Sequence, residues 1–202
     1  MPPAPRYGFR IESSQLARLC RAFSCNTDRS PRYFLLISQS RGAGFRAFYP
    51  RQYCAKRGGE TRRIVGQYTL SEEDIIQQRE FEDTVALGCG PMDLHEPNGT
   101  GIQLAMPPAP FEIPMRCLIP EDVEGLIVTG RAISATREAN GGARHIATAM
   151  ALGQAAGTMA AMAACGQLST RSLPVDLIQR KLRAAGAALS KADCAARASA
   201  AE

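Results

Sequence analysis

The sequence lacks the residue groupings that hold metal ions or disulfide frameworks. It has seven cysteines and two histidines, the histidines His95 and His145 stand far apart, and no two cysteines form a C-x-x-C pair. An odd number of irregularly spaced cysteines is not the pattern of a disulfide-bonded secreted domain, and no zinc-ligand spacing occurs. We therefore expect no metal site. The N-terminal stretch MPPAPRYGFRIESSQ lacks the apolar core of a signal peptide, so we expect reduced thiols and a cytoplasmic protein.

Runs of like charge are also missing. The net charge is +5, with Lys and Arg in clear excess over residues 1–66 and a slight acidic excess over residues 67–202. The basic residues are spread among apolar ones, which favours a basic face that meets an acidic segment or an anionic cofactor over a nucleic-acid arm. We expect no nucleic-acid partner, although a basic nucleic-acid-binding protein remains the second alternative function.

One long segment is without charge. Residues 146–165 could span about 30 Å as a helix, the thickness of a bilayer core, and Gly153 and Gly157 form a G-x-x-x-G pair. Ala, Gly, Thr and Gln fill most of its positions, however. Small residues at this spacing let a soluble helix lie close to a sheet, so we expect no membrane span.

Hydrophobic periodicity and turn residues predict the following elements. Residues 84–112 are rich in Gly and Pro and are predicted to be irregular, and the tail from Ser190 to be frayed. The predicted elements are a helix over 14–23, a hairpin of strands 33–38 and 45–49, a strand over 63–70, a helix over 72–81 capped by Ser71, a strand over 111–118 broken at Pro114, a strand over 126–129, a helix over 143–164 and a helix from Val175 to near Gly186.

A G-x-G-x-x-A match lies at residues 42–47, where a dinucleotide fingerprint would place its phosphate-binding turn. The next residues are Phe48, Tyr49 and Pro50, and Tyr49 with Pro50 argues against the helix that the fingerprint requires. We interpret the match as a glycine-rich hairpin turn.

Residues 125–164 form the one segment that points to a chemistry. A buried strand ends at Thr129 and Gly130, and the absence of a side chain at Gly130 lets a ligand approach the backbone. Asn140, Gly141 and Gly142 are predicted to cap the following helix, whose first free N–H groups would face a ligand in front of the sheet. The alternative is a plain strand–loop–helix unit in which the glycines serve packing alone.

The same segment, GLIVTGRAISATREANGGARHIATAMALGQAAG, resembles the C-terminal cofactor-binding segment of the bacterial FAD-dependent oxidoreductases of the fumarate-reductase-like superfamily. Three further blocks resemble that family in the same order. Together the four blocks span residues 58–188. The three further blocks are ETRRIVGQY at 60–68, FED at 81–83 followed by MDLH at 92–95, and FEIPMRCLIP at 111–120.

The resemblance implies FAD as cofactor and a small organic substrate that exchanges a hydride with the flavin. It places Arg62, Arg63, Asp93 and His95 on the substrate side as the catalytic candidates. An arginine and a histidine are suited to hold a carboxylate and to move a proton. The implied cofactor-binding residues are Thr129, Gly130, Arg131, Asn140, Gly141, Gly142, Ala143, Arg144 and His145, with Arg131 along the pyrophosphate and the helix start at the flavin ring.

The chain departs from the family in one respect, because its sequence contains no strand–GxGxxG–helix unit for the ADP half of FAD. The predicted fold class is therefore α/β, a C-terminal fragment of a Rossmann-like FAD-binding domain with part of a mixed α+β substrate domain. The predicted regions are 1–57, a basic segment with partial substrate-domain strands; 58–124, a substrate-domain and linking region; 125–188, the FAD-binding segment; and 189–202, the tail.

The predicted function is that of an FAD-dependent oxidoreductase in a truncated or partial chain. A separate N-terminal half or a homo-oligomer is the expected protein partner. The first alternative is a remnant or interaction module that binds no flavin.

Overall fold

The computed structural model describes residues 36–40, 43–48, 62–95 and 101–199, with the backbone alone for the first two ranges and for residues 197 and 198. The helix predicted over 14–23 lies outside these residues. Seven strands and five α-helices are described. They are β1 (Leu36–Ser40), β2 (Ala43–Phe48), α1 (Glu72–Ile76), β3 (Thr84–Gly88), β4 (Met92–His95), β5 (Ile102–Ala105), β6 (Phe111–Pro114), β7 (Leu126–Val128), α2 (Arg137–Ala143), α3 (Ile146–Gly166), α4 (Val175–Ala184) and α5 (Lys191–Ser199).

A three-stranded antiparallel sheet has the order β2-β1-β7. Ile37 of β1 lies opposite Ala47 on one side and opposite Ile127 of β7 on the other. The pairing of β1 with β2 confirms the hairpin interpretation of the G-x-G-x-x-A match, because its residues 43–47 lie in a strand. The long helix α3 packs against all three strands.

Two further strand pairs, β3 with β6 and β4 with β5, are antiparallel as well. Helix α3 also packs against β3, so that it joins the three-stranded sheet to the β3–β6 pair. The described chain is a mixed α/β structure built on antiparallel pairs. Its main core lies between these pairs and the helices, with Phe111, Ile113, Leu152, Met159 and Ile178 each at most 2% exposed.

Helix α3 has 21 residues and is the one described helix that is long and apolar enough, by length and composition, to cross a membrane. Core helices of soluble proteins meet the same criterion, and 39% of its most apolar window is buried here. Its buried residues, among them Leu152, Ala155 and Met159, lie on one side of the helix and face the sheet and β3.

The strand predicted over residues 63–70 is absent. The segment bends at residues 67 and 68, and its hydrogen-bond partners lie in loops and a 3-10 turn rather than in a strand. Ile64 N donates to Ala132 O, Gln67 N to Ile119 O and Leu70 N to Ser134 O. Only isolated bridges form, at Gly66 and Leu70, because a regular ladder requires a regular partner.

The prediction of irregular structure over residues 84–112 is wrong, since β3, β4 and β5 lie there. The glycines that suggested a loop instead permit close packing. A Cβ on Gly88 would lie 2.3 Å from the ring of Phe111, and one on Gly90 would lie 1.9 Å from the ring of His145. Glycine within a strand pattern marks the close approach of another group as often as a break.

Helix α1 begins as predicted and ends early. Ser71 and Asp74 form a reciprocal capping box, in which Asp74 N donates to Ser71 Oγ and Ser71 N donates to Asp74 Oδ2. The helix stops at Ile76 rather than at residue 81, and Gln78 takes a left-handed φ of 55°. The predicted helix from Val175 is confirmed over Val175–Ala184.

The structure also shows a helix, α5, in the tail that was predicted to be frayed. Its start carries a second reciprocal pair, because Asp193 N donates to Ser190 Oγ and Ser190 N donates to Asp193 Oδ2. The carboxylate of Asp193 also accepts from Arg183 Nε at 3.1 Å. These bonds lower the pKa of Asp193 and outweigh the opposing effect of its burial.

Candidate functional site

The turn after β7 holds the residues that the resemblance places along the cofactor. The strand ends at Val128, Thr129 is buried, and Gly130–Ala132 form a 3-10 turn. Gly130 has a φ of +71°, a conformation that favours glycine, and a Cβ built on it would meet no atom within 4 Å. The turn therefore combines a glycine-dependent backbone with open space beside it.

Three buried polar atoms on the elements around this turn have no hydrogen-bond partner in the described structure. They are Thr129 Oγ1, Asn140 Oδ1 and Thr148 Oγ1. Asn140 is tied to the turn because its Nδ2 donates to Arg131 O at 3.2 Å. Thr148 lies in the first turn of α3, which packs against the Gly130–Ala132 turn. A buried polar group without a partner costs about 1–3 kcal/mol, so a bound polar ligand would recover this energy.

Similar atoms occur outside the turn, at Gln78, Asp93 and Thr170. Thr148 was missed in the sequence analysis. Its one signal is that it is a hydroxyl residue in the first turn of an otherwise small and apolar helix.

The predicted loop before the long helix is itself a helix. Asn140, Gly141 and Gly142 lie inside α2, and the long helix begins at Ile146 with His145 as its N-cap. The predicted cap at Asn140–Gly142 is therefore wrong, and the first-turn N–H groups belong to residues 146–148. The side chain of His145 makes no capping hydrogen bond, so these N–H groups are not satisfied by it.

The two glycines of α2 serve packing. A Cβ on Gly141 would lie 2.9 Å from Asp93 O and 3.0 Å from Asp93 N, and one on Gly142 would lie 3.3 Å from the ring of Phe111. Helix α2 therefore approaches strand β4 at backbone distance. This agrees with the packing alternative for Gly141 and Gly142, while a cofactor role for them and for the buried Ala143 stays a prediction.

Arg144 and His145, between α2 and α3, are bound to the β4 region. Arg144 is 7% exposed, and its Nη2 donates to Asp93 Oδ2 at 2.7 Å and to Asp93 O at 2.9 Å. His145 Nε2 lies 2.8 Å from Pro91 O. Both residues thus anchor the β4–β5 hairpin at the point where α3 starts.

The catalytic candidates Asp93 and His95 lie together on β4. His95 Nε2 is 3.4 Å from Asp93 Oδ1, an oxygen that has no hydrogen bond within the described ranges. Arg137 donates to His95 O and fixes the end of the strand. Through Arg144, this pair is held beside the start of α3.

The other two candidates, Arg62 and Arg63, lie elsewhere. They directly precede Ile64, whose N–H donates to Ala132 O of the Gly130–Ala132 turn. The four catalytic candidates thus fall into two pairs, with Arg62 and Arg63 next to Ile64, and Asp93 and His95 on β4 beside α2. The substrate-side role of all four stays a prediction.

A second polar cluster is fully engaged in internal bonds. Tyr68 donates to both carboxylate oxygens of Asp74, and its burial together with Asp74 raises its pKa to about 12. Arg116 pairs with Asp83 at 3.0 Å, which raises the pKa of Arg116. Asp83 and Arg116 line a groove of about 760 Å³. We assign this cluster a structural role because its charges satisfy one another.

The fold is that of a mixed α/β protein in which a glycine turn lies against the long helix α3. Comparison with protein families identifies the family to which the chain belongs. The family model for FAD dependent oxidoreductase matches residues 43–182, and the chain belongs to this family. A comparison with curated proteins and one with solved structures gave no match. The resemblance inferred from the four sequence blocks is thus confirmed for the family and for its general function, FAD-dependent oxidation and reduction.

Proposed function

We propose that this chain is a partial FAD-dependent oxidoreductase that holds one part of FAD at the Gly130–Ala132 turn. The observation that carries the proposal is the group of unpartnered buried atoms at Thr129, Asn140 and Thr148, next to the open space at Gly130. The atoms include two hydroxyls and one amide oxygen, which suit the ribityl hydroxyls and the polar ring edge of a flavin. The residues present therefore fit the cofactor that the family binds.

Each element at the turn contributes a different property. Arg131 is exposed beside Gly130, and a guanidinium can bind a phosphate through two hydrogen bonds. The N-terminus of α3 carries a partial positive charge that stabilises a negatively charged ring edge. When bound, FAD supplies two-electron hydride chemistry toward a small organic substrate, while the protein supplies position and field.

Asp93 and His95 are the proposed substrate-side pair, because Arg144 holds them beside the start of α3. His95 is 44% exposed at its side chain, so its ring can exchange a proton with a bound molecule. Arg144 is proposed to position Asp93 through its Nη2 hydrogen bonds, while its predicted contact with the flavin stays a prediction. Arg62 and Arg63 are proposed to lie along the cofactor, next to the turn.

The remaining part of the cofactor site is proposed to come from a partner, either a separate N-terminal half or a further copy of this chain. This is supported by the hairpin β1–β2, in which the G-x-G-x-x-A match forms a strand rather than a phosphate-binding turn. A truncated, cytoplasmic member of a bacterial branch of the family is the form that we propose. Neither a nucleic acid nor a membrane is part of the proposal.

Thr129→Val tests the site directly. The purified chain is incubated with FAD and passed through a gel-filtration column, and its visible absorption is recorded. Valine keeps the shape of threonine and removes the unpartnered hydroxyl. We expect Thr129→Val to raise the free energy of unfolding by up to about 1 kcal/mol and to lower FAD retention at least tenfold.

Thr170→Val is the matched control, because Thr170 also carries an unpartnered buried hydroxyl but lies in the separate Thr170–Ser172 turn. It should gain stability and retain FAD like the wild type. Equal FAD retention by all three proteins would contradict the placement of the cofactor. A wild-type chain that retains no FAD would support the alternative of a non-catalytic module.

A further inference from the structure

Helix α3 has an outward side that nothing in the described structure covers. Ile146 and Met150 are 78% and 70% exposed, and a Cβ built on Gly153 or Gly157 would meet no atom within 4 Å. These residues recur at intervals of four and three positions and so lie on one side of the helix. The opposite side is buried against the sheet.

This outward side carries no charge. None of the residues of α3, Ile146–Gly166, is acidic or basic, whereas the solvent-facing side of a surface helix is normally rich in charged residues. Two large apolar side chains at high exposure therefore stand in a surface that is about 31 Å long and free of charge. Such a surface is suited to contact with another protein.

The order of large and small residues selects the partner. The large residues Ile146 and Met150 lie in the N-terminal half of the outward side, and the small residues Ala161 and Ala164 lie in its C-terminal half. Gly153 and Gly157 lie on either side of the midpoint. Reversal of the helix about this midpoint brings each large position opposite a small one.

We propose that the outward side of α3 binds a second copy of this chain, with the two α3 helices antiparallel across a two-fold axis. Ile146 then packs opposite Ala164 of the partner subunit, and Met150 packs opposite Ala161 of the partner subunit. The glycines meet at the axis, where they allow the two backbones to approach closely. An interface of this kind is isologous, since both subunits use the same surface.

A groove at the end of the same side supports this direction of packing. It has a volume of about 650 Å³ and lies between α3 and α4. Its lining is mainly apolar, and Leu168 and Leu177 are partly exposed in it. The antiparallel arrangement brings the Ile146 and Met150 side chains of each copy to the edge of the other's groove. The residues that line this groove include Ala161, Met162, Cys165, Leu168, Leu177 and Lys181.

Charge complementarity also favours the antiparallel direction. The N-terminus of a helix carries about half a positive charge and its C-terminus about half a negative charge. Antiparallel α3 helices place these opposite ends side by side, whereas parallel helices would align like ends and pack Ile146 against its own copy. No charged side chain of α3 has to lose water in the contact.

The proposed dimer surface and the proposed FAD site lie on opposite sides of α3. Thr148 is on the buried side, toward the Gly130–Ala132 turn, and Met150 is on the outward side. The dimer therefore goes beyond the proposed function, and its test needs no cofactor. The proposed function names two possible partners, a separate N-terminal half and a further copy of this chain, and we assign the further copy to the outward side of α3.

Cysteine cross-linking tests the register. In a Cys165→Ser background, the variants Ile146→Cys, Ala164→Cys and the double variant are oxidised and run on a non-reducing gel. In the antiparallel dimer, position 146 faces position 164 of the partner subunit, but each position lies about 27 Å from its own copy. We expect a cross-linked dimer from the double variant alone, above the level of Cys165→Ser itself.

Leu104→Cys in the same background is the matched control, because Leu104 is 65% exposed and lies on the β4–β5 hairpin. It should give no cross-link. Cross-linked dimers from Ile146→Cys or Ala164→Cys alone would show parallel packing and would overturn the proposal. Absence of a dimer from the double variant would overturn it as well.

Sedimentation equilibrium then measures the association of the intact chain. We expect a dimer, and we expect Met150→Glu to raise its dissociation constant at least tenfold, since a carboxylate would be buried in an apolar contact. Leu104→Glu should leave the dissociation constant unchanged. A monomeric wild type, an unaffected Met150→Glu dimer, or a monomer that co-sediments with phosphatidylcholine vesicles would each overturn the proposal.

FAD retention is measured on the same samples. A monomer that retains FAD overturns the dimer and leaves the proposed function in place. A dimer that retains no FAD supports the interface and contradicts cofactor binding by this chain.

Discussion

The guanidinium of Arg144 donates to Oδ2 and to the main-chain oxygen of Asp93, at 2.7 and 2.9 Å, across 51 positions of the sequence. This contact joins the junction between α2 and α3 to the β4–β5 hairpin. It explains why the helical segment is interrupted at Arg144 and His145, since both side chains are held by β4 and its approach. The start of α3 and the predicted substrate-side residues are thus positioned by one interaction.

Replacement of Arg144 should be strongly destabilising. Arg144→Met would leave the Asp93 carboxylate without its main partner, and breaking a buried pair in this way costs about 3 kcal/mol. Urea denaturation would measure the free energy of unfolding. The matched control is Arg180→Met, because Arg180 pairs with Asp176 on the exposed side of α4. That change should cost less than about 0.5 kcal/mol. Equal losses would show that the Arg144 contact is not buried in solution.

Gly141 and Gly142 should respond differently to the same substitution. Alanine within a helix is normally more stable than glycine by up to about 1 kcal/mol. At Gly141 the added Cβ would meet the Asp93 backbone at 2.9 Å, so we expect Gly141→Ala to destabilise the fold by about 2 kcal/mol. At Gly142 the nearest atoms are 3.3 Å away, and Gly142→Ala should be close to neutral. Thermal denaturation of the two variants tests the ranking. A neutral Gly141→Ala would contradict the close approach of α2 to β4.

The capping box of α1 should make part of the stability dependent on acid. Burial would raise the pKa of Asp74, but its hydrogen bonds from Ser71, Tyr68 and Arg79 lower it below the ordinary value of 3.8. A carboxylate with a lowered folded-state pKa stabilises the fold above its unfolded-state pKa, and this contribution is lost as the pH falls toward the folded-state value. Asp74→Asn should therefore reduce stability at pH 7 and flatten the loss of stability below about pH 4. Parallel acid profiles for the wild type and Asp74→Asn would contradict this assignment.

The cysteines should differ sharply in reactivity. Burial raises the pKa of Cys117 to about 12, and its side chain is 0% exposed. Cys89 is exposed and lies away from the proposed dimer surface. Because the thiolate is the reactive form, iodoacetamide at pH 8 should modify Cys89 at least a hundredfold faster than Cys117. Mass spectrometry of the modified peptides would measure the rates. Rapid modification of Cys117 would show that the core opens under native conditions.

Local patterns predicted the elements whose signals lie within a few residues. Ser71 and Asp74 predict the start of α1, and the apolar spacing after Pro174 predicts α4. The strand β6 begins at Phe111 and stops at Pro114, where the sequence predicts a break, but the predicted continuation to residue 118 is wrong, since Met115–Cys117 form a 3-10 turn. The Tyr49–Pro50 pair likewise excluded a helix after the G-x-G-x-x-A match. In each case the deciding interaction is made by neighbours in sequence, so no distant residue is needed to predict it.

The positions of the site residues depended on contacts between distant segments. Gly88, Gly90, Gly141 and Gly142 look like loop residues, yet they accommodate Phe111, His145 and the β4 backbone. The pairing of Asp93 with Arg144 cannot be inferred from spacing either, because two separate elements must first pack. The sequence by itself therefore determined the family and the class of fold, since these rest on local residue order. Only the tertiary structure decided that Arg144 is buried against Asp93 and that the long helix begins at Ile146. It also decided that the unpartnered buried atoms of Thr129, Asn140 and Thr148 lie on elements that meet at one turn. The physical reason is that burial and long-range hydrogen bonds exist only once the chain has packed.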